Sequence, residues 1–250
     1  MKKLERFYPE ARFGGFTDID GTVVFFTRVN SLLKESMIVL DAGCGRGAFS
    51  ERSVPTKRNL RTLKGKVAKV IGIDVDSAAA VNPTLDEFRL IEGDRWPVED
   101  DSIDLIVCDN VLEHVADYES FFSELRRVLR DGGYLCLRTP NRWNYITLGA
   151  RLIPNKHHSA VTSVVQAGRE EEDVFPTVYK CNTAGKLRRV LRDRGFDCVV
   201  YGYEAEPKYL DFSTIAYFLG VLHQRFAPRF LKPSLFAFGE LHKASYPFAP

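Results

Sequence analysis

The run from Met37 to Gly47 constrains the fold of this chain more than any other stretch. Its first residues, Met37 to Asp41, are apolar and rich in β-branched side chains, which is typical of a strand buried in a parallel sheet. The strand stops at a turn in which Gly43, Gly45 and Gly47 alternate with other residues. Glycines let the chain turn sharply and let a ligand approach the backbone. The run therefore predicts a buried strand that carries a binding loop at its carboxyl end.

Further apolar runs repeat this design at Lys69–Asp74, Asp104–Cys108 and Tyr134–Arg138, the last entered through the turn Asp131-Gly132-Gly133. Between the runs the pattern is helical, most clearly over Tyr118–Leu129, where apolar residues recur at helical spacing. Strands that alternate with helices predict right-handed crossovers and an open, mostly parallel α/β sheet. In such sheets the ligand binds beyond the carboxyl ends of the strands, where the strand order reverses.

The last part of the chain predicts two more helices and two more strands. In order, these are a helix over Ala184–Arg194, a strand over Phe196–Tyr203, an apolar helix over Phe212–Phe226 and a strand over Leu235–His242.

Composition argues against several classes of protein. A net charge of +2 and 27% charged residues are ordinary for a globular protein and demand no nucleic-acid partner. The N-terminus lacks the apolar core of a signal peptide, and the most apolar stretch, Ile215–Leu222, is far shorter than the roughly 20 residues of a membrane-spanning helix. The cysteines are scattered, which predicts reduced, mostly buried thiols and neither a disulfide framework nor a metal site; they are Cys44, Cys108, Cys136, Cys181 and Cys198. We therefore expect a cytoplasmic protein.

Carboxylates follow the ends of the next strands. Asp74 ends the second strand, where a carboxylate can accept hydrogen bonds from both hydroxyls of a ribose; an ordinary turn residue is the alternative interpretation. Asp94 follows Gly93 at the expected end of a further strand, which lies between Asp74 and the run Asp104–Cys108; its carboxylate can accept from an adenine amino group, with Arg95 and Trp96 beside the ring. The gap from the glycines to Asp74 exceeds the usual roughly 20 residues. The excess is the basic insertion Arg52–Lys66, interpreted as a solvated helix face, with binding of a phosphate-bearing partner as the alternative.

Together these elements resemble the class I S-adenosylmethionine-dependent methyltransferases, specifically their small-molecule, type 11-like branch. The first motif of that family reads VLDxGCGxG, which Val39–Gly47 matches, and the stretches at 112–115 (LEHV) and 127–141 (RVLRDGGYLCLRTPN) look like its later motifs. The resemblance is close over residues 37–141 and loose elsewhere. It implies a Rossmann-like, doubly wound seven-stranded sheet, mostly parallel with an antiparallel last strand. It also implies S-adenosyl-L-methionine as cofactor, S-adenosyl-L-homocysteine as product, and no metal.

The resemblance assigns cofactor contacts by position. They are Asp41, Gly43 and Gly45 for the methionine part, Asp74 for the ribose, Val75, Asp94, Arg95 and Trp96 for the adenine, and Asn110 for backbone contacts beside the sulfonium. His114 is the catalytic candidate, because imidazole titrates near neutrality and an acceptor hydroxyl would need a general base. The alternative interpretation is that His114 orients the cofactor loop.

The chain is interpreted as a single domain over residues 1–250. An N-terminal lid or cap (1–36) precedes the cofactor-binding core (37–141), an acceptor-side connection (142–183) and the C-terminal part of the sheet (184–250). The acceptor is expected to be a small molecule: a sugar or glycan precursor, a lipid, a quinone-like ring or a secondary metabolite. Its pocket candidates are Asn141, Tyr145, His157, His158 and Tyr179.

Alternatives remain open at this point. The chain could methylate RNA or protein, or it could be a non-catalytic cofactor-binding regulatory module. The segment 209–238 is rich in aromatic residues, with Arg225, Arg229 and Lys232 among them. It is interpreted either as a helix packed beside the last strands or as an amphipathic surface that meets a bilayer or a lipid-linked acceptor.

Overall fold

The structure, a computed structural model, describes residues 3–145 and 176–244. The strands of these ranges are β1 (Ile38–Ala42), β2 (Lys69–Asp74), β3 (Glu87–Leu90), β4 (Ile103–Asp109), β5 (Leu129–Pro140), β6 (Phe196–Tyr203) and β7 (Ser234–Leu241). Their α-helices are α1 (Lys3–Phe7), α2 (Gly21–Leu32), α3 (Phe49–Arg52), α4 (Pro55–Arg61), α5 (Tyr118–Val128), α6 (Ala184–Arg192) and α7 (Thr214–Phe226).

The strands form one seven-stranded sheet in the order β3-β2-β1-β4-β5-β7-β6. Strands β1 to β5 pair in parallel, and β7 runs antiparallel to both of its neighbours, β5 and β6. The chain moves outward from β1 to β3 and then returns to add β4 on the other side of β1. The strand order therefore reverses between β1 and β4, where a ligand crevice is expected. The predicted sheet, with its antiparallel last strand, is confirmed.

Apolar side chains cover both faces of the sheet. On one face the helices α5 and α6 bury a cluster that includes Leu40 of β1, and on the other face α2 buries a cluster that includes Val39. Successive residues of a strand point to opposite faces. Asp41 therefore shares the α2 face with Val39, a placement that decides its contacts at the site.

The basic insertion Arg52–Lys66 contains one short helix, α4, and does not lengthen α3. Pro55 begins α4, and the residue before a proline is biased away from helical backbone, so α3 ends before it. The expectation of a solvated helix face is wrong for two of the cations. Lys57 forms an ion pair with the buried Asp20, and Arg61 packs its guanidinium 4.0 Å from the ring centre of Phe49.

Within the described ranges, no helix combines the length and the apolar character needed to cross a membrane. The five cysteines are free thiols; Cys44 is half-buried and the other four are buried, as predicted.

Candidate active site

The turn after β1 owes its shape to two glycines. Gly43 has a φ of 73°, and its amide donates a hydrogen bond of 2.8 Å to the carbonyl of Ile73 in β2. A Cβ at Gly43 would lie 2.3 Å from the side chain of Val111, so glycine is required there. Gly45 has a φ of 53° and donates a hydrogen bond of 2.9 Å to a carboxylate oxygen of Asp74. Its Cβ would meet nothing within 4 Å, which leaves open space above the turn.

Asn82 supports this turn from outside it. Its side-chain amide donates to the carbonyls of Cys44 and Gly45, at 3.1 and 2.9 Å. A Cβ at Gly47 would lie 2.3 Å from the side-chain oxygen of Asn82, so these two residues also fit closely together. The sequence offers only a turn signal here, since Asn82 precedes Pro83. Sequence reasoning missed this residue.

A cleft of about 1230 Å³ opens over the turn, at the point where the strand order reverses. It gathers most of the predicted site residues: Gly43, Gly45, Asp74, Val75, Asp94, Trp96, Asn110 and His114. Two predicted residues, Asp41 and Arg95, are not in its lining.

One wall of the cleft is apolar and aromatic. Val75 is 63% exposed and faces the cleft directly after β2. Trp96 is buried, with its ring edge-on to Phe121 at a centroid distance of 5.3 Å. The Trp96 amide donates a hydrogen bond of 2.7 Å to Glu124 of α5, and Arg127 donates one of 3.0 Å to the Trp96 carbonyl. Both backbone groups of Trp96 are therefore hydrogen-bonded to side chains of α5, which hold this wall in place.

Arg95 and Asp41 lie elsewhere for different reasons. The Arg95 side chain is 73% exposed and its guanidinium lies 3.2 Å from Asp100. It therefore does not border the space expected for the adenine ring. Asp41 shares the sheet face of Val39, opposite Leu40 and Ala42. The charges of Arg61, Asp109 and Asp74 act on its carboxyl group there.

That charged cluster couples β1, β4 and β5. Arg138 of β5 donates two hydrogen bonds of 2.6 Å to the two carboxylate oxygens of Asp109, and Arg61 lies 3.7 Å from the same group. Burial raises the pKa of Asp41 to about 7; Arg61 opposes the rise, while the carboxylates of Asp109 and Asp74 add to it.

Asn110 follows β4 in the left-handed region, with a φ of 59° that asparagine tolerates better than most residues. Its amide donates to the carbonyl of Arg138 at 2.8 Å, and its side chain donates to Asp109 at 2.9 Å. The charged cluster thereby holds the backbone of Asn110 at the cleft, where a backbone contact was predicted.

His114 ends the short 3₁₀ helix Leu112–His114, with its Nδ1 3.1 Å from the carbonyl of Pro176. In the tautomer that donates from Nδ1 to this carbonyl, the lone pair lies on Nε2, which is 3.8 Å from a carboxylate oxygen of Glu113. The preceding Glu113 is buried and accepts a hydrogen bond of 3.0 Å from Thr139. Burial raises the pKa of Glu113. Within this 3₁₀ helix the side chain of Glu113 is therefore buried, whereas the side chain of His114 lines the cleft.

The acceptor candidates are largely not brought to the cleft. Asn141 is buried and donates two hydrogen bonds of 2.8 Å to the carbonyls of Phe230 and Lys232, so it is a structural residue and the prediction of a pocket role is wrong. Tyr145 packs against the ring of His223, and neither Tyr145 nor Tyr179 lines the cleft. His157 and His158 lie outside the described residues. Two residues that were not predicted, Pro176 and Val178, do line it.

In the described portion of the chain, no group of three or more His, Cys, Asp or Glu side chains is arranged to hold a metal ion.

Comparisons with known proteins agree with this geometry. A family model described as a methyltransferase domain matches residues 20–201. A probable S-adenosylmethionine-dependent methyltransferase of Mycolicibacterium smegmatis is 36% identical over 108 residues, which are 42% of this chain and 38% of that protein. A ubiquinone biosynthesis O-methyltransferase of Rhizobium leguminosarum is 34% identical over 110 residues, 43% of this chain and 42% of that protein. The matched part thus spans less than half of either relative.

Among solved structures, a methyltransferase from Haloferax volcanii, determined in complex with the Trm112 methyltransferase activator, has the same fold. It superposes with a TM-score of 0.56 at 18% identity and covers 96% of each chain.

Proposed function

This chain belongs to the class I S-adenosylmethionine-dependent methyltransferase family, and we propose that it transfers the methyl group of that cofactor to a small-molecule acceptor. One observation carries the proposal: a single cleft gathers the glycine turn, Asp74 and His114 at the carboxyl edge of the sheet. These are the groups needed to hold the two halves of the cofactor and to face the acceptor.

The residues of the cleft fit the cofactor. The open space over Gly45 admits a ligand against the backbone. Asp74 keeps a half-buried carboxylate at the end of β2, where ribose hydroxyls can donate to it. Val75 exposes an apolar surface on which a purine ring can pack.

S-adenosylmethionine supplies a methyl group that its positively charged sulfur already activates. The work left to the protein is orientation and the exclusion of water. Asn110 is fixed at the end of β4 by the Asp109–Arg138 pair. His114 lines the cleft, with Nε2 3.8 Å from a carboxylate oxygen of Glu113, and its imidazole is the proposed base for the proton of an acceptor hydroxyl.

The size of the cleft supports a small acceptor beside the cofactor. Small-ligand sites typically measure about 300–1,000 Å³, and this cleft, at about 1230 Å³, exceeds that range. The name of the Rhizobium relative, a ubiquinone biosynthesis O-methyltransferase, also supports a small-molecule acceptor.

Isothermal titration with S-adenosylmethionine and S-adenosylhomocysteine tests the cofactor half of the proposal. The wild-type protein should bind both, and Asp74→Asn should weaken binding at least about tenfold, since a charge-assisted acceptor is lost. Asp74→Asn keeps a side-chain oxygen for the amide of Gly45 and so disturbs the turn little. The matched control is Asp197→Asn, which removes an exposed carboxylate from the edge strand β6.

Methyl transfer from labelled cofactor to panels of small molecules, RNA and proteins tests the acceptor half. Transfer to small molecules supports the proposal, and transfer confined to RNA or protein contradicts it. A folded wild-type protein that binds neither form of the cofactor would overturn the proposal as a whole.

A further inference from the structure

One side of α7 presents large apolar side chains to solvent. Along the helix these are Ile215, Phe218, Leu219, Leu222 and Phe226, with exposed fractions from 37% to 77%. Phe212 before the helix and Phe230 after it continue the surface, at 69% and 63% exposed. These seven side chains are named the apolar face of α7. Single exposed apolar residues are ordinary, but a continuous row of this kind marks an interaction surface.

The helix cannot roll this face into the core, because its opposite side is tightly packed. Tyr217, Gly220 and Val221 are buried. A Cβ at Gly220 would lie 2.6 Å from the side chain of Pro207, so the helix backbone rests directly on the chain that follows β6. The outward direction of the apolar face is therefore set by close packing on its inner side.

Polar contacts fix the carboxyl end of the helix as well. The buried Glu204 accepts a hydrogen bond of 2.8 Å from His223, and the ammonium of Lys232 lies 3.4 Å from the same carboxylate. Lys232 also donates to the carbonyls of His223 and Gln224. The helix is thus anchored to the sheet with its apolar face outward.

The charged side chains between residues 212 and 232 are of one sign. Residues 212–232 contain no Asp or Glu, while Arg225 and Arg229 are exposed beside Phe226 and Phe230. The nearest acid in the sequence, Asp211, forms an ion pair with Lys3 at 3.6 Å. An apolar helix face flanked by arginines complements a bilayer whose headgroups are anionic, because the side chains enter the acyl boundary while the arginines meet phosphates.

The face also lies at the functional edge of the sheet. The helix α7 connects the end of β6 to the start of β7, where Tyr203 pairs with Ser234. Strand β6 points in the same direction as β5, since both are antiparallel to β7. The carboxyl ends of β1, β2 and β4, which carry the cleft, therefore open at this same edge.

We propose that the apolar face of α7 docks this protein on the surface of an anionic bilayer. The acceptor then belongs to the lipid-soluble or lipid-linked members of the small-molecule class. Docking stands on the contacts of α7 alone, whereas the acceptor class rests on the proposed function.

Co-sedimentation of the full chain with lipid vesicles tests docking. The protein should sediment with vesicles of phosphatidylcholine mixed with phosphatidylserine, and less with phosphatidylcholine alone. The triple variant Phe218→Ser, Leu222→Ser, Phe226→Ser should lose this binding. The double variant Arg225→Gln, Arg229→Gln should bind the anionic vesicles more weakly, by about fivefold for each charge removed.

The controls match each change. Val199→Ser removes an exposed apolar side chain from β6, and Arg189→Gln with Arg192→Gln removes two exposed arginines from α6; both should sediment as the wild type does. Docking is overturned if the wild type does not sediment with anionic vesicles, or if the triple variant sediments equally well. It is also overturned if the wild type is a dimer that ignores vesicles and the triple variant is a monomer, because a second copy then covers the face.

The same preparations are titrated with S-adenosylhomocysteine. If the protein binds S-adenosylhomocysteine but not vesicles, docking is rejected and the proposed function stands. If it binds vesicles but not S-adenosylhomocysteine, the proposed function is rejected and docking stands. Labelled methyl transfer to acceptors presented in vesicles should then exceed transfer to water-soluble analogues, and the opposite order rejects the lipid-soluble class.

Discussion

The side-chain amide of Asn82 donates a hydrogen bond of 2.9 Å to the carbonyl oxygen of Gly45. The oxygen of the same amide accepts from the backbone and the hydroxyl of Thr84, at 3.0 and 2.7 Å. Asn82 is 5% exposed, so these bonds form away from water, where an unpaired partner is costly. The glycine turn is therefore held in shape by the loop after β2 as well as by its own backbone preferences.

Replacing Asn82 by alanine should loosen the turn. The carbonyls of Cys44 and Gly45 lose a donor, at a cost of about 1–3 kcal/mol. We expect weaker binding of S-adenosylhomocysteine by about tenfold or more in calorimetry, although Asn82 is outside the cleft lining. Asn30→Ala, which removes another side-chain amide bonded to backbone carbonyls, is the control and should bind normally. If Asn82→Ala binds S-adenosylhomocysteine as the wild type does, the glycines hold the shape of the turn without the side chain of Asn82.

The two glycines of the turn should respond differently to alanine. Gly43→Ala brings a Cβ to 2.3 Å from Val111, so both the melting temperature and cofactor binding should fall. Gly45→Ala meets no atom within 4 Å, and its main stability cost is about 1 kcal/mol for the left-handed backbone. Its added methyl group nevertheless enters the space at the cleft, so cofactor binding should fall far more than stability does. Equal melting temperatures for the two variants would contradict this distinction.

The stability of the cofactor-free protein should depend on the titration of Asp41. Burial raises its pKa from 3.8 to about 7. Between these values the folded state holds a proton that the unfolded state has released, so the free energy of unfolding falls as the pH rises through this window. Asp41→Asn removes the titration. Its melting temperature relative to the wild type should therefore be higher at about pH 8 than at about pH 5.

Asp197→Asn is the control for the pH experiment. It removes an exposed carboxylate on the edge strand β6, far along the sheet from Asp41, and its melting temperature relative to the wild type should be the same at both pH values. Wild-type and Asp41→Asn melting curves that shift in parallel with pH would contradict the assigned protonation of Asp41.

His114→Gln separates the two interpretations of His114. Glutamine can still donate to the carbonyl of Pro176, but it has no basic nitrogen. If His114 is the general base, kcat should fall about 100-fold or more while the Kd of the cofactor stays unchanged. If kcat is unchanged, the catalytic role is rejected; if the Kd rises instead, His114 is a positioning residue.

Much of the fold was predictable because buried strands carry a strong local pattern. The predicted bounds of β2 and β6 match the structure. Strand β3 (Glu87–Leu90) was inferred only from the turn that follows it, since its residues are all half-buried and show no alternation. The antiparallel direction of β7 came from the family resemblance, because local sequence does not encode the direction in which a strand enters a sheet.

By itself, the sequence determined the glycine turn, the carboxylate at the end of β2 and the alternation that builds the sheet. These depend on backbone conformation and on residues near in the chain. Only the tertiary structure decided that the charges of Arg61 and Asp109 act on Asp41, that Arg95 pairs with Asp100, that Asn82 supports Gly45 and that the apolar face of α7 is exposed. Each of these depends on which distant side chains meet when the elements pack, and the spacing of residues along the chain does not specify those contacts.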